Sequence, residues 1–142
     1  MADTIHIDIV SAEREIYSGD VQMVFAPATL GEVGIAPGHS PFVSPLGPGE
    51  VRIKFVDGRE QGFYISGGML EVQPSVVTVL SDTAVRAEDL DEAAVAKARE
   101  EAERQFHERD AAIDYAAAQV ALAETAAQLQ TIQRLRRRSG RS

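Results

Sequence analysis

With 142 residues, 44% of them hydrophobic, the chain has enough apolar surface for one ordinary core or for a small core with an appendage. Its net charge of −8 argues against a general nucleic-acid binder, which needs a clustered excess of lysine and arginine to neutralise phosphates. The absence of cysteine excludes disulfides, thiolate nucleophiles and cysteine-ligated zinc, and leaves no need for an oxidising compartment. No apolar run approaches the roughly 20 residues that span a bilayer, and Met1-Ala2-Asp3-Thr4 lacks the basic start of a signal peptide. The expectation is a folded intracellular protein, with any membrane association made through protein partners and not by insertion.

Ile5-His6-Ile7-Asp8-Ile9 alternates apolar and polar residues at period two, as do Val51-Arg52-Ile53-Lys54-Phe55 and Val77-Thr78-Val79. This is the pattern of strands with one buried face. Between the first two runs lies Gly31 to Leu46, with three prolines and three glycines in sixteen positions, which no helix tolerates. The run predicts an ordered, loop-rich turn between strands. Asp57-Gly58 suits a hairpin turn, and Ser66-Gly67-Gly68 a turn or bulge that needs positive φ. Short strands with frequent turns predict a β-sandwich or flattened barrel of about 85 residues. Its core would use Ile5, Ile7, Ile9, Val24, Ile35, Val51, Ile53, Phe55, Phe63, Ile65, Leu70, Val77 and Val79.

All six prolines and ten of the eleven glycines precede Ser75, and this switch in composition marks a domain boundary. From Glu88 onward alanine, glutamate, arginine and glutamine dominate, all strong helix formers. Glu88, Asp89, Asp91 and Glu92 crowd the start, where they complement the helix dipole. A first helix of about 18 residues is expected, a turn at Phe106-His107-Glu108-Arg109-Asp110, and a second helix from Tyr115 to about Arg137 capped by Asp110. Tyr115, Ala118, Leu122, Thr125, Leu129 and Ile132 make a narrow seam on that helix. No glycine enforces the turn, so a helical element with two packings is a candidate switch.

Charge is segregated along the helices: residues 88–114 carry ten acidic and four basic side chains, whereas Arg134, Arg136, Arg137, Arg138 and Arg141 crowd the end. Such a tip serves either the helix dipole or an acidic protein surface.

Nothing in the chain assembles into an active site. His6 lies on the polar face of a strand, and His107 belongs to His-Glu-Arg-Asp, which lacks the second histidine of a zinc-protease helix. His39, in Pro-Gly-His-Ser, reads as a turn histidine bonded to local backbone. Ser66-Gly67-Gly68 lacks the flanking residues of a phosphate loop or nucleophile elbow. Asp89 with Asp91, and Glu100 with Glu101, read as a solvated face.

The Gly31–Leu46 run with the following Gly47-Pro48-Gly49-Glu50-Val51, the stretch Ser66-Gly67-Gly68-Met69-Leu70-Glu71-Val72, and Asp82 to Asp91 resemble the epsilon subunit family of the rotary ATP synthase. The resemblance covers essentially the whole chain. It implies an α+β fold, with an N-terminal β-sandwich of about ten strands in residues 1–86 and a C-terminal two-helix antiparallel hairpin in residues 87–142. It implies a non-catalytic central-stalk subunit, without cofactor or metal, on the cytoplasmic side of the bacterial plasma membrane. The sandwich would bind the gamma subunit and rest on the c-subunit ring, with the Gly31-Glu32 loop and the Gly38-His39 turn facing that ring. The hairpin would open and carry Arg134, Arg136, Arg137 and Arg138 to an acidic segment of a beta subunit within the alpha–beta hexamer, blocking hydrolysis. Family members that bind ATP use isoleucine or leucine, aspartate, two variable residues, arginine and alanine at the first helix. Here Leu90 and Asp91 are retained and Ala94 replaces the arginine, so no ATP binding is expected.

A second reading, a stand-alone sandwich binding module with a helical oligomerisation arm, would need a concave aromatic patch. The chain has no tryptophan, and its aromatics are scattered.

Overall fold

The computed structural model describes residues 3–108 and 115–139. Ten strands come first: β1 (Ile5–Ser11), β2 (Glu15–Val21), β3 (Met23–Ala28), β4 (Gly31–Ile35), β5 (Phe42–Leu46), β6 (Gly49–Lys54), β7 (Glu60–Ile65), β8 (Gly68–Val72), β9 (Val76–Ser81) and β10 (Ala84–Arg86). They hydrogen-bond in the order β10-β7-β6-β3-β5-β8-β9-β1-β2, with β4 branching from β3. Every pairing is antiparallel except β1 with β9, which run parallel with Ile7 opposite Val77. Strands distant in this order share one buried cluster: Ile5, Ile7 and Ile9 of β1 pack with Val51 and Ile53 of β6 and Phe63 of β7. The sheet therefore folds over on itself as a sandwich, its alternate side chains filling the space between layers.

Of the expected core only Phe55 stays half-buried, packed against the cluster from its edge, while Val21, Ala26, Leu46, Val72 and Ala84 complete it. Gly31 to Leu46 is less loop-like than its composition suggests, because β4 and β5 both lie within it and only residues 36–41 are irregular. Pro37 and Pro41 fall in that connection. Pro45 sits inside β5, where its carbonyl accepts from Thr29 N–H at 3.2 Å on the β3 side. Its missing N–H faces the same way, and β5 pairs with β3 only through Leu46 and Ala28, so no ladder bond to β8 is lost. Asp57-Gly58 turns the chain between β6 and β7, with Gly58 at φ +91. Gly67 and Gly68 take φ +118 and +144, and a Cβ on Gly68 would overlap the Leu80 carbonyl.

The first helix starts and ends later than expected, and the second starts at Tyr115 as expected and runs two residues past Arg137. Ala87–Asp89 forms a short 3-10 turn, Leu90 is extended, and α1 spans Glu92–Glu108. Asp91 sets this start by accepting from the amides of Ala93 and Ala94 at 3.1 and 3.3 Å. Glu88 and Asp89 thus precede the helix, and Phe106 and His107 continue it where a turn was expected. Asp110, Arg141 and the remainder of that expected turn lie outside the described residues. The second helix, α2, spans Tyr115–Ser139 and packs antiparallel on α1, with Arg136 near its end paired to Glu92 at the start of α1.

On α2 the expected seam is present at Leu122, Thr125, Leu129 and Ile132, all buried or half-buried; the side chains of Tyr115 and Ala118 lie outside the described set. A second stripe, Glu124, Gln128, Thr131, Arg134 and Arg138, is also wholly or partly buried. Spacings of three and four place it on one helix face. This face meets β6 and β7.

Candidate functional site: the arginine tip on the outer face of the sandwich

Alternation along β6 and β7 decides what α2 meets. Val51, Ile53, Phe63 and Ile65 point into the core, so Glu50, Arg52, Gly62 and Tyr64 share the opposite face. Cross-strand pairing sets Glu50 opposite Tyr64 and Arg52 opposite Gly62. An outward face would ordinarily be wet. Here α2 covers it, leaving Tyr64 1% exposed and the Glu50 side chain 1% exposed.

A buried carboxylate requires counter-charge or hydrogen bonds. Glu50 obtains both from the tip of α2: Arg138 Nη2 donates to Oε2 at 3.1 Å and Arg134 Nη1 approaches Oε1 at 3.5 Å. The side chains of Arg138 and Arg134 remain 21% and 32% exposed, so they link the covered carboxylate to solvent. Beside them Tyr64 carries its hydroxyl under α2, near Glu124 and Gln128, with no hydrogen bond of regular geometry. Burial, reinforced by the Glu124 carboxylate, pushes its pKa up to about 12.

Two sets of residues picked out from the sequence meet at this place. A cleft of about 320 Å³ is lined by Glu32, Arg52, Glu60, Arg134, Arg137 and Arg138. Arg52 organises its floor, donating to Glu32 at 2.8 Å, lying 3.9 Å from Glu60 and stacking 4.5 Å from the centre of the Phe25 ring. The meeting of Glu32 with the arginines was not expected from the sequence, and the Gly31-Glu32 loop and the Gly38-His39 turn, expected to share one surface, are not brought together. Gly31 and Glu32 open β4, whereas Gly38 and His39 lie past its far end, beside Pro74, whose carbonyl accepts from Gly38 N–H at 2.8 Å. The two turns therefore occupy opposite ends of the strand. Leu30, at the tip of the β3–β4 hairpin, is fully exposed.

His39 bonds locally, Nδ1 to the Ser40 carbonyl at 2.8 Å. His6 is held between Asp20 and Asp8 at 2.9 and 3.1 Å, and Ser18 Oγ donates to Asp8 at 2.6 Å. The Asp20 hydrogen bond chiefly raises the His6 pKa, against an opposing effect of burial, and Asp8 adds to the rise; the Ser18 hydrogen bond chiefly lowers that of Asp8. Asp91 is occupied as the α1 cap, and Ala94 is exposed one turn into the helix. Among the described residues no three histidine or acidic side chains converge as a metal site, and no helix is long and apolar enough to cross a membrane. Glu50, Gly62 and Tyr64 were not singled out from the sequence. The available signal was a large aromatic, Tyr64, on the face opposite Phe63, which marks an outer face that something covers.

The fold is thus a ten-stranded sandwich with an arginine-tipped helical hairpin docked on its outer face. Residues 4–87 match the family model described as the ATP synthase delta/epsilon chain beta-sandwich domain, and residues 88–133 the delta/epsilon chain long alpha-helix domain. The chain belongs to the ATP synthase delta/epsilon chain family. It is 59% identical over 140 residues to the ATP synthase epsilon chain of Nitrosococcus oceani, covering 99% of this chain and all of the relative. It is also 59% identical over 138 residues to that of Thioalkalivibrio sulfidiphilus, covering 96% and 98%. Among solved structures, a chain of the Euglena gracilis mitochondrial ATP synthase, in an assembly of OSCP, F1 and c-ring, superposes with TM-score 0.79 at 27% identity over 87% of this chain and 78% of that one.

Proposed function

We propose that this chain is an epsilon-type subunit of the ATP synthase central stalk, a non-catalytic part of the rotor at the cytoplasmic side of a bacterial plasma membrane. Residues 1–86 form its rotor-binding unit and residues 87–142 its regulatory unit. Full-length similarity to bacterial epsilon chains supports the stalk role, and so does the likeness to a chain solved together with a c-ring.

Two surfaces fit the expected stalk partners. Pro45, Met69, Leu80 and Val10 are register neighbours across β5, β8, β9 and β1, and Met69 and Leu80 remain 42% and 48% exposed. An uncovered apolar row of this kind suits burial against a helical partner such as gamma. The tip bearing Leu30, Gly31 and Glu32 suits contact with the c-ring; Gly38 and His39, at the other end of β4, would meet the ring only on a separate surface.

The regulatory reading is carried by one observation, the docking of Arg134 and Arg138 on a single buried carboxylate, Glu50. Cations held this way are available to an acidic beta-subunit segment once α2 leaves the sandwich, and Arg136 and Arg137 would join them. The test is ATP hydrolysis by the gamma-containing catalytic complex reconstituted with the full-length chain or with residues 1–86. Inhibition by the full chain alone is expected. Equal hydrolysis with both would refute the braking role while leaving the stalk assignment intact.

A further inference from the structure

We propose that Glu50 is the residue on which docking of α2 depends, its burial being tolerated only while Arg134 and Arg138 are free to pair with it. The inference deepens the regulatory reading above, on which its consequence for hydrolysis rests; the docking equilibrium itself stands on the geometry alone.

The argument begins with an asymmetry in burial. In the docked state the Glu50 side chain is 1% exposed, whereas Arg138 and Arg134 keep 21% and 32% of theirs in solvent. Removing the arginines would leave a covered carboxylate without counter-charge, the expensive way to break an ion pair. Removing the carboxylate would leave two guanidinium groups that water can still reach. Docking therefore depends on the arginines being present and unoccupied. A partner that takes Arg134 and Arg138 does more than compete for contacts: it makes burial of Glu50 unfavourable and so opposes the return of the helix.

A second feature shows that the chain leaves room for this pairing. Gly62 lies on β7 opposite Arg52, in the middle of a strand and without positive φ, so its backbone does not call for glycine. A Cβ there would overlap the Glu50 carboxylate and come within 2.7 Å of Arg138 Nη2. Glycine supplies the space in which carboxylate and guanidinium meet.

An apolar residue in place of Glu50 would lack this dependence, since a hydrophobic side chain under α2 favours docking whether or not cations lie above it. That contrast provides the test. The full-length chain has no cysteine, so a fluorophore pair on Lys54→Cys and Gln133→Cys, both exposed positions, reports docking by energy transfer. With Glu50 present, the double change R134Q/R138Q should lower the ratio of docked to undocked chain about tenfold. In a Glu50→Leu background the same change should alter it less than about twofold. Equal losses in both backgrounds would overturn the proposal. Gly62→Ala, which keeps all three charges and crowds only their meeting point, should also undock α2; docking unchanged by it would count against the proposal.

The hydrolysis assay separates this inference from the braking role. Gly62→Ala frees intact arginines and should strengthen inhibition of the reconstituted complex, whereas R134Q/R138Q frees a blunted tip and should weaken it. If Gly62→Ala undocks the helix and hydrolysis does not change, the dependence of docking on Glu50 is supported and the braking role fails.

Discussion

Arg136 reaches across the hairpin to Glu92, 44 residues earlier in the chain, and ties the end of α2 to the first residue of α1. The two side chains are 65% and 42% exposed, so water and salt compete for both. The replacement R136Q should cost at most about 0.5 kcal/mol of hairpin stability. Urea unfolding at low and high ionic strength would check this, with the difference between variant and parent vanishing in high salt.

Tyr64 offers a spectroscopic view of α2. With its hydroxyl covered, the phenol is held at a pKa of about 12 against the ordinary 10.0. The neutral phenol is the form that docking favours. Its contribution is therefore complete below pH 10.0 and is lost as pH rises through the docked-state value. In a chain whose Tyr17 and Tyr115 are replaced by phenylalanine, tyrosinate absorbance should titrate near 12 when α2 is docked. It should move toward 10.0 in R134Q/R138Q.

The β1–β2 edge should respond to pH near neutrality. His6, between Asp20 and Asp8, has a raised pKa, so its stabilisation is present below 6.5 and fades as pH climbs through the folded-state value. Asp8 has a lowered pKa, so its contribution is present above 3.8 and fades as pH falls through its folded value. The cluster therefore contributes most between 3.8 and 6.5. In H6Q the decline in unfolding midpoint above that window should disappear, and an NMR titration should place the His6 pKa above 6.5 in the parent.

Asp91 has a structural task that accounts for it without any nucleotide. Changing it to alanine removes an N-cap and should destabilise the hairpin by about 1 kcal/mol. With Ala94 where an arginine would meet a phosphate, ATP should leave the melting temperature of the parent chain unchanged. A micromolar affinity by calorimetry would contradict this.

The elements most legible from sequence were those fixed by near neighbours. Ile5, Ile7 and Ile9 announce a strand by alternation, and Gly67-Gly68 announces a backbone that only glycine adopts. Gly31 to Leu46 was harder to read because the residues that mark turns also sit in edge-like strands: Pro45 is tolerated in β5 because its neighbour on the donor side is nearly absent. The start of α1 was blurred by Glu88 and Asp89, acidic residues as suited to a 3-10 turn as to a helix. Tyr64 signals locally only that something covers its face, and Glu50 gives no local signal, since what covers them arrives about 60 to 90 residues later. Arg138 looked from sequence like one cation among several, and only the folded chain gives it a particular carboxylate.

The parallel pairing of β1 with β9 sets a condition on how the protein is made. His6 finds its partner in Val76, and Ile9 in Val79, so the first strand to leave the ribosome waits for nearly the last strand of the sandwich. Such distant pairing makes for slow, all-or-none folding. No shorter nascent segment can close the sheet, and β1 remains an open edge until β9 is synthesised. The helices follow β9 in translation, so α2 has no finished surface to settle on until the whole of the N-terminal unit has been delivered.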